Sequence, residues 1–252
     1  MKLRNDKIIV FGGGSGIGKA IAKRFCELGA SVLITGRTED KLISAKEEIN
    51  SDKLFYKAFD ITSKTTEHLA LFEYAEKVMG GLNGFVNAAA LGGDQALGRG
   101  YEPWDITEEE WDILSDTNYK AAFFLMRNEI NYLLDKNVRG NILNIASNGA
   151  FMDIRGSYGS AKLAITRWTN SFGKIYGKNG IIINGIAPGA TITPMVSRYA
   201  ISPDQEYERH ALNRFVLPEE IAELAFYLMS DFGEITCAHT VVADCGDVLS
   251  TL

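Results

Sequence analysis

The sequence predicts an α/β protein with one doubly wound parallel sheet of about seven strands. Short apolar runs alternate with longer segments of helical periodicity, which is the pattern of repeated βα units. Several runs are apolar at successive positions, as strands buried on both faces of a parallel sheet are. No linker, repeat or low-complexity tract divides the 252 residues, so we expect a single domain over 1–252.

The strands are expected at the apolar runs and the helices between them. The strand candidates are KIIVF (7–11), SVLITG (31–36), KLFYKAF (53–59), GFVNAA (84–89), NILNIA (141–146), IIINGIA (181–187) and HTVVAD (239–244). The helix candidates cover 16–29, 39–50, 63–80, 107–136, 157–178 and 218–230. Thr107 and Glu110 have the spacing of a capping box at the start of the fourth helix. Residues 188–217 interrupt the alternation, and we expect an insertion at about 190–217 that forms a lid or a wall of a substrate pocket.

The composition limits which classes of partner the protein is expected to bind and in which cellular compartment it is expected to lie. A net charge of −6 disfavours nucleic acid or an anionic membrane as the main partner. The N-terminus reaches a glycine run after a short apolar stretch, which predicts neither a signal peptide nor a membrane span, so we expect a cytoplasmic protein. Cys26, Cys237 and Cys245 lack the spacing of metal ligands, so we expect free thiols and no metal site.

The first strand candidate continues into a glycine-rich turn and a helix, in the sequence KIIVFGGGSGIGKAIAKRF. Backbone N–H groups at such a turn can hold a phosphate. Gly12, Gly16 and Gly18 match G-x-x-x-G-x-G, whereas no frame matches G-x-G-x-x-G. A P-loop nearly matches, but Ala20 stands where its Mg²⁺-binding hydroxyl is needed. A dinucleotide site is predicted; a P-loop phosphotransferase and a turn that only packs strand on helix are the alternatives.

The end of the second strand bears on which dinucleotide binds. The sequence LITGR has no acidic residue of the kind that bonds the ribose in NAD-selective sites. Arg37 stands there instead, and its charge and forked donors suit the 2′-phosphate of NADP. Glu39 and Asp40 weaken the positive field nearby. NADP(H) is therefore the predicted cofactor, with NAD(H) possible.

Two Tyr-x-x-x-Lys pairs occur, and their context separates them. The spacing places both side chains of each pair on one helical face. Tyr132 and Lys136 end a long helix with no strand-end serine before it, so we expect a surface pair. Tyr158 and Lys162 follow Ser147, which closes a strand candidate, and begin a helix rich in small residues. This second pair is the candidate for catalysis.

The glycine loop, GSYGSAK and NGIAPG together resemble the motifs of the short-chain dehydrogenase/reductase family, over about residues 5–247. The resemblance implies a Rossmann-type fold and an oxidoreductase that interconverts a carbonyl and a secondary alcohol. It implies that the catalytic residues are Asn118, Ser147, Tyr158 and Lys162. It implies that the cofactor contacts are Gly12, Ser15, Gly16, Ile17, Gly18, Arg37, Asp60, Ile61, Asn87, Tyr158, Lys162, Pro188, Gly189 and Thr193.

Four positions depart from the family pattern. Phe11 replaces a loop threonine, and Cys237 replaces a glycine near the last strand. Ala88 and Ala90 replace the second Asn and the Gly of the family's N-N-A-G. None of these changes removes a catalytic side chain.

The resemblance implies a division of chemical work among these residues. A free phenol has a pKa near 10, and both an ammonium one helical turn away and a cationic nicotinamide ring would lower it. Tyr158 would then exchange a proton with the substrate oxygen, and Ser147 would hydrogen-bond that oxygen. Asn118 would hold a water that links Lys162 to solvent. The cofactor would carry the hydride, and Asp60 would bond the adenine amino group.

We expect three segments to form the walls of the substrate pocket, namely residues 90–106, the stretch directly after Ser147, and residues 190–217. Apolar candidates for the pocket are Phe151, Met152, Met195, Tyr199 and Phe215. Three arginines are expected either to bind an anionic tail of the substrate or to face solvent, namely Arg155, Arg198 and Arg214.

We expect NADPH-dependent reduction of a medium-sized apolar ketone resembling a 3-oxoacyl thioester, with a hydroxysteroid as the nearest alternative substrate. A catalytically silent nucleotide-binding regulator is the alternative from another class. The family resemblance also implies a homotetramer or homodimer.

Overall fold

Seven parallel strands form the central sheet, with helices on both faces. The computed structural model describes residues 2–92, 105–152, 156–196, 202 and 204–248. The strands are β1 (Lys7–Phe11), β2 (Ser31–Gly36), β3 (Leu54–Ala58), β4 (Gly84–Asn87), β5 (Gly140–Ile145), β6 (Ile181–Pro188) and β7 (Thr240–Ala243). They pair in the order β3-β2-β1-β4-β5-β6-β7, and every pair is parallel. The predicted fold class is confirmed.

The helices also follow the predicted segments. They are α1 (Gly16–Glu27), α2 (Glu39–Ile49), α3 (Thr65–Met79), α4 (Glu108–Ser115), α5 (Ala122–Asp135), α6 (Ser157–Tyr176) and α7 (Pro218–Leu228). The capping box is present, because Thr107 Oγ1 accepts from the Glu110 N–H at 3.2 Å and the Glu110 carboxylate accepts from the Thr107 N–H at 3.0 Å.

The helix predicted over 107–136 is present at 108–135, but it is not α-helical throughout. A π-helical turn, Asp116–Ala121, joins α4 to α5 and carries Asn118. Such turns are rare and are frequently found at functional sites. None of the helices in the described ranges combines the length and the apolar composition needed to cross a membrane.

The core lies in two layers, one on each face of the sheet. On β1, Ile8 and Val10 pack with residues of α1, α2 and α7, whereas Ile9 and Phe11 pack with residues of α3 and α5. All four side chains are fully buried, and each such burial stabilises the fold by about 1.5–3 kcal/mol. This two-sided burial is the physical reason why the strand sequences are apolar at successive positions.

The prediction of a surface pair at Tyr132 and Lys136 is wrong for the tyrosine. Lys136 is exposed and pairs with Glu76 at 2.8 Å. Tyr132 is buried, with its ring against Phe72 and Phe85, and its hydroxyl donates to the Glu76 carboxylate at 3.3 Å. The ring fills space between α3 and β4, which the fold brings next to α5.

The sheet places its functional edge where the strand order reverses. β2 lies on one side of β1 and β4 on the other, and the chain therefore leaves neighbouring strands β1 and β4 toward opposite faces. In open α/β sheets, ligands bind beyond the carboxyl ends of the strands at this point.

Candidate active site

A cavity of about 540 Å³ runs along the carboxyl ends of β1 to β6. Its volume lies in the range of small-molecule and cofactor sites. The predicted site residues that line it are Gly12, Ser15, Gly16, Ile17, Gly18, Arg37, Asp60, Ile61, Ser147, Tyr158, Lys162, Pro188, Gly189 and Thr193. The fold therefore brings most of the predicted site to one surface.

The glycine turn after β1 leaves no room for larger side chains. A Cβ on Gly18 would lie 2.3 Å from the carbonyl oxygen of Gly12, and Gly16 has a φ of +53°, where side chains are strained. α1 begins at Gly16, so its unpaired N–H groups and positive dipole end lie at the cavity. This cradle fits the phosphates of a dinucleotide.

Two cations line the cavity beyond β2. Arg37 and Lys41 both stand on the wall and are exposed, whereas Glu39 and Asp40 are not among the described wall residues. Lys41 was not predicted; its position in the first turn of α2, four residues after Arg37, is the signal that would have indicated it. At the neighbouring strand end, Asp60 Oδ1 accepts from the N–H and the hydroxyl of Thr62, both at 2.9 Å.

Tyr158 and Lys162 lie in the first turns of α6 and meet as a cation–π pair. The Lys162 Nζ is 5.5 Å from the centroid of the Tyr158 ring. It is buried and donates a hydrogen bond to the carbonyl oxygen of Ile145 at 2.9 Å. Burial lowers the pKa of Lys162 to about 8. The phenol thus has a buried ammonium beside it that carries a charge at neutral pH.

Ser147 stands on the same wall, directly beyond β5. Its Oγ accepts a hydrogen bond from the Gly149 N–H at 3.1 Å, at the start of the 3-10 turn Asn148–Phe151. Because a hydroxyl has one donor and two acceptor sites, its O–H remains available to a ligand. One wall therefore presents a phenol, an ammonium and a hydroxyl next to the glycine cradle.

The family model for short chain dehydrogenases matches residues 6–203. The chain belongs to this family. It is 32% identical over 251 residues to a 2,5-dichloro-2,5-cyclohexadiene-1,4-diol dehydrogenase from Sphingobium indicum, with 97% of each chain covered. It is 30% identical over 254 residues to an A-factor type gamma-butyrolactone 1'-reductase (1S-forming) from Streptomyces virginiae, with 97% of this chain and 96% of the relative covered.

A crystal structure of a short chain dehydrogenase from Bacillus anthracis superposes with a TM-score of 0.84 at 28% identity, covering 97% of both chains. The predicted family and the predicted class of enzyme, an oxidoreductase, are confirmed. Because the chain belongs to this family, the alternative of a P-loop phosphotransferase is rejected.

In this short-chain dehydrogenase the Asn118 side chain does not lie on the cavity wall. Its Nδ2 donates to the Leu91 carbonyl at 2.8 Å, and its Oδ1 accepts from the Leu91 N–H at 2.9 Å. Thr117 lines the cavity instead. Each amide group thus makes one bond to the backbone beyond β4, and the expected role of Asn118 in holding a water for Lys162 stays a prediction.

Asn87 also lies off the main cavity wall, in a buried polar network. Its Nδ2 donates to Glu129 Oε2 at 3.0 Å and to Asn144 Oδ1 at 2.9 Å, and Asn144 donates to Thr169 Oγ1 at 2.9 Å. Glu129 is fully buried, and burial raises its pKa to about 8 against the opposing hydrogen bond from Asn87. The Asn87 side chain thus braces β4, β5 and α5, and the expected contact of Asn87 with the cofactor stays a prediction.

Glu129 was not predicted from the sequence, although its place on an apolar helix face could have indicated a buried carboxyl group. In AFFLMRNEINYLLD, Glu129 falls at helical spacing from Leu125, Met126 and Leu133, all of which are buried. An acidic residue on an apolar helix face is unusual, because an ionised carboxylate is seldom buried without a partner.

The substrate end of the cavity agrees with the predictions only in part. Met152 and Met195 line it as expected. Phe151 is 41% exposed and is not among the described wall residues, and Phe215 is buried in the core. Arg214 is also absent from that wall and forms two hydrogen bonds with the Glu220 carboxylate. Tyr199, Arg155, Arg198 and 93–104 of the expected 90–106 wall lie outside the described residues.

Three polar side chains at this end were not predicted. Asn148, Arg209 and Asp247 line the cavity, and Asn148 and Arg209 each donate a hydrogen bond to Asp247. They come from the turn after β5, from the 190–217 insertion and from the segment after β7. No linear motif connects them, so the sequence holds no signal for the cluster.

Proposed function

We propose that this enzyme interconverts a carbonyl and a secondary alcohol with a nicotinamide cofactor, in the reducing direction with NADPH. The observation that carries the proposal is the common wall on which Ser147, Tyr158 and Lys162 meet the glycine cradle. When bound, the nicotinamide cofactor supplies or takes up the hydride. We propose a medium-sized, mainly apolar ketone resembling a 3-oxoacyl thioester as the substrate.

Tyr158 is the proposed proton donor in reduction and the acceptor in oxidation. A phenol with a pKa near 10 is a poor base at neutral pH, and a positive charge beside it favours the phenolate. The Lys162 ammonium, 5.5 Å from the ring centroid, supplies that charge. Its bond to the Ile145 carbonyl keeps the ammonium in place.

Ser147 is the proposed partner of the substrate oxygen. Its hydroxyl donates to the oxygen while negative charge develops there, and the bond orients the carbonyl toward Tyr158. The bond from the Gly149 N–H holds Oγ in one position, so little reorganisation is needed when the substrate arrives.

The cofactor is proposed to lie along the strand ends. Gly12, Ser15, Gly16, Ile17 and Gly18 would hold the phosphates, and Asp60 and Ile61 the adenine. Pro188, Gly189 and Thr193 would contact the nicotinamide half. Arg37 and Lys41 favour NADP(H) over NAD(H), because two cations on the wall suit a 2′-phosphate.

The experiment is NADPH and NADH consumption across a panel of ketones, with 3-oxoacyl thioester analogues and ketosteroids included. Tyr158→Phe should bind the cofactor and lose turnover by roughly 10²–10⁴-fold. Tyr132→Phe is the matched control, because it removes the hydroxyl of the other Tyr-x-x-x-Lys pair. Near-normal turnover in the Tyr158 variant contradicts the proposal.

The same panel separates the alternatives. A hydroxysteroid dehydrogenase would turn over the ketosteroids best. A catalytically silent nucleotide-binding regulator would bind NADPH, detected by fluorescence, without turnover of any substrate.

We also propose a homotetramer or homodimer. Large apolar side chains are exposed along α4, the π turn and α5, namely Trp111, Tyr119 and Phe124. Their exposure to water favours association. Light scattering tests this, and a monomer at micromolar concentration contradicts it.

The proposed location remains the cytoplasm. Cys26, Cys237 and Cys245 are free thiols in the structure, which supports a reducing compartment.

A further inference from the structure

The substrate end of the cavity carries a guanidinium held by a buried carboxylate. Arg209 Nε donates to Asp247 Oδ1 at 2.9 Å, and Asn148 Nδ2 donates to Asp247 Oδ2 at 2.9 Å. The Asp247 side chain is 7% exposed, whereas that of Arg209 is 58% exposed. Both carboxylate oxygens are therefore engaged, and the guanidinium is the accessible member of the pair.

The carboxylate is fixed by the segment that follows β7. Asp244 Oδ1 accepts from the Gly246 N–H at 3.0 Å, and its Oδ2 accepts from the Val248 N–H at 2.8 Å. These bonds close a turn around Asp247. Its position is therefore set by backbone contacts and does not depend on Arg209 alone.

The loop that carries Arg209 is also packed. The Tyr207 ring stacks on Phe215 with centroids 4.3 Å apart, and His210 Nδ1 bonds the Arg214 carbonyl at 2.7 Å. Within the described residues, Arg209 contacts Asp247, Tyr207 and Met152. These contacts use only part of the five N–H donors of a guanidinium.

The cluster lies next to the proposed reacting groups. Asn148 directly follows Ser147, and a single carboxylate joins it to Arg209. All three side chains line the cavity that also contains Tyr158. The guanidinium therefore lies on the wall of the same cavity as a substrate whose carbonyl is placed between Ser147 and Tyr158.

We propose that Arg209 determines specificity by binding a carboxylate on the substrate, and that Asp247 is the positioning residue that holds its guanidinium. This inference rests on the proposed function, and it narrows the substrate to a ketone with an apolar body and an acidic end. A guanidinium matches a carboxylate in shape and charge. The Asp247 side chain is 7% exposed against 58% for Arg209, so a ligand meets the guanidinium before the carboxylate.

The test compares short unbranched oxo acids with their methyl esters as substrates. Arg209→Gln should lower the ratio of kcat/KM for acid over ester roughly 10- to 100-fold, as expected for a charge-assisted hydrogen bond. Asp247→Asn should shift the same ratio in the same direction through KM for the acid rather than through kcat. Arg214→Gln is the matched control, since Arg214 lies on the same loop and pairs with Glu220 away from the described wall.

Two outcomes overturn the inference: an unchanged ratio in Arg209→Gln, whether or not acid and ester turnover fall together, or a rise confined to the KM for NADPH. Ester turnover by the wild type reports separately on the proposed function. If neither acid nor ester reacts, calorimetry of saturated carboxylates binding to the NADPH-loaded protein still tests Arg209. Equal affinity in the wild type and Arg209→Gln then refutes the assignment.

Discussion

The side-chain amide of Asn87 donates a hydrogen bond across 3.0 Å to the buried carboxyl of Glu129. Asn87 ends β4 beside the cavity, and Glu129 lies on the inner face of α5. The bond connects the strand end beneath the cavity to a group whose charge depends on pH. It has a measurable consequence for stability.

We predict that Glu129 makes a contribution to wild-type stability that falls as pH rises from about 4.5 to about 8. Burial raises the pKa of Glu129 from 4.5 to about 8 in the folded chain. In this window the unfolded chain has released the proton that the folded chain retains, so raising the pH favours unfolding. One such group changes the free energy of unfolding by at most about 1.4 kcal/mol per pH unit. Glu129→Gln should flatten this slope and raise the free energy of unfolding near pH 8 by roughly 2–4 kcal/mol.

Urea unfolding across the pH window measures the effect. Glu76→Gln is the control, because the pKa of Glu76 is lowered by its hydrogen bond with Lys136 and this residue cannot cause the same slope. An unchanged slope in Glu129→Gln would show that the carboxyl is already ionised at low pH.

A second prediction concerns cofactor choice. Arg37→Ala and Lys41→Ala should each raise the KM for NADPH roughly tenfold and change the KM for NADH much less, because only NADPH carries the 2′-phosphate. Steady-state kinetics with both cofactors provide the measurement. Lys19→Ala serves as the control, since Lys19 pairs with Glu48 at 2.7 Å and is not among the described wall residues. Equal effects on the two cofactors would remove the argument for NADP.

A third prediction concerns the glycine cradle. Gly18→Ala would place a Cβ 2.3 Å from the Gly12 carbonyl oxygen, which forces the turn apart at a cost of about 1–3 kcal/mol. We expect a rise of tenfold or more in the Kd for NADPH, measured by fluorescence titration. Gly14→Ala in the same turn is the control, because its Cβ would meet the flexible Leu42 side chain at 3.3 Å. Similar losses in both variants would count against a phosphate cradle at Gly18.

A fourth prediction concerns Asn118. Asn118→Ala leaves the Leu91 N–H and carbonyl without their side-chain partner, which destabilises the fold by about 1–3 kcal/mol. Because Gly92 and Ala90 beside Leu91 line the cavity, we also expect the KM for the substrate to rise. Thermal unfolding and kinetics measure the two effects.

Asn128→Ala separates these effects. Asn128 is buried on α5 and bonds His68 and Arg127, but it is not among the described residues of the cavity wall. It should lower stability to a similar degree with little change in KM. If the two variants behave alike in kinetics, Asn118 has only a structural role.

The sequence by itself predicted the parts that depend on local chain geometry. Residues buried on both faces of a strand must be apolar, so the runs that became β1 and β6 were visible without a structure. The turn at Gly16 and Gly18 needs a positive φ or the absence of a Cβ, which only glycine provides at low cost. Ser147, Tyr158 and Lys162 were recognised because their motifs occur in order along the chain.

Only the tertiary structure decided which distant side chains meet. The fold turned Asn87 toward Glu129, fixed Asn118 on Leu91, and buried the Tyr132 ring, which the sequence context had placed at the surface. It also joined Arg209 to Asp247 across 38 positions of sequence. Contacts between side chains that are far apart in sequence depend on how strands and helices pack. No local pattern of residue type or spacing encodes them.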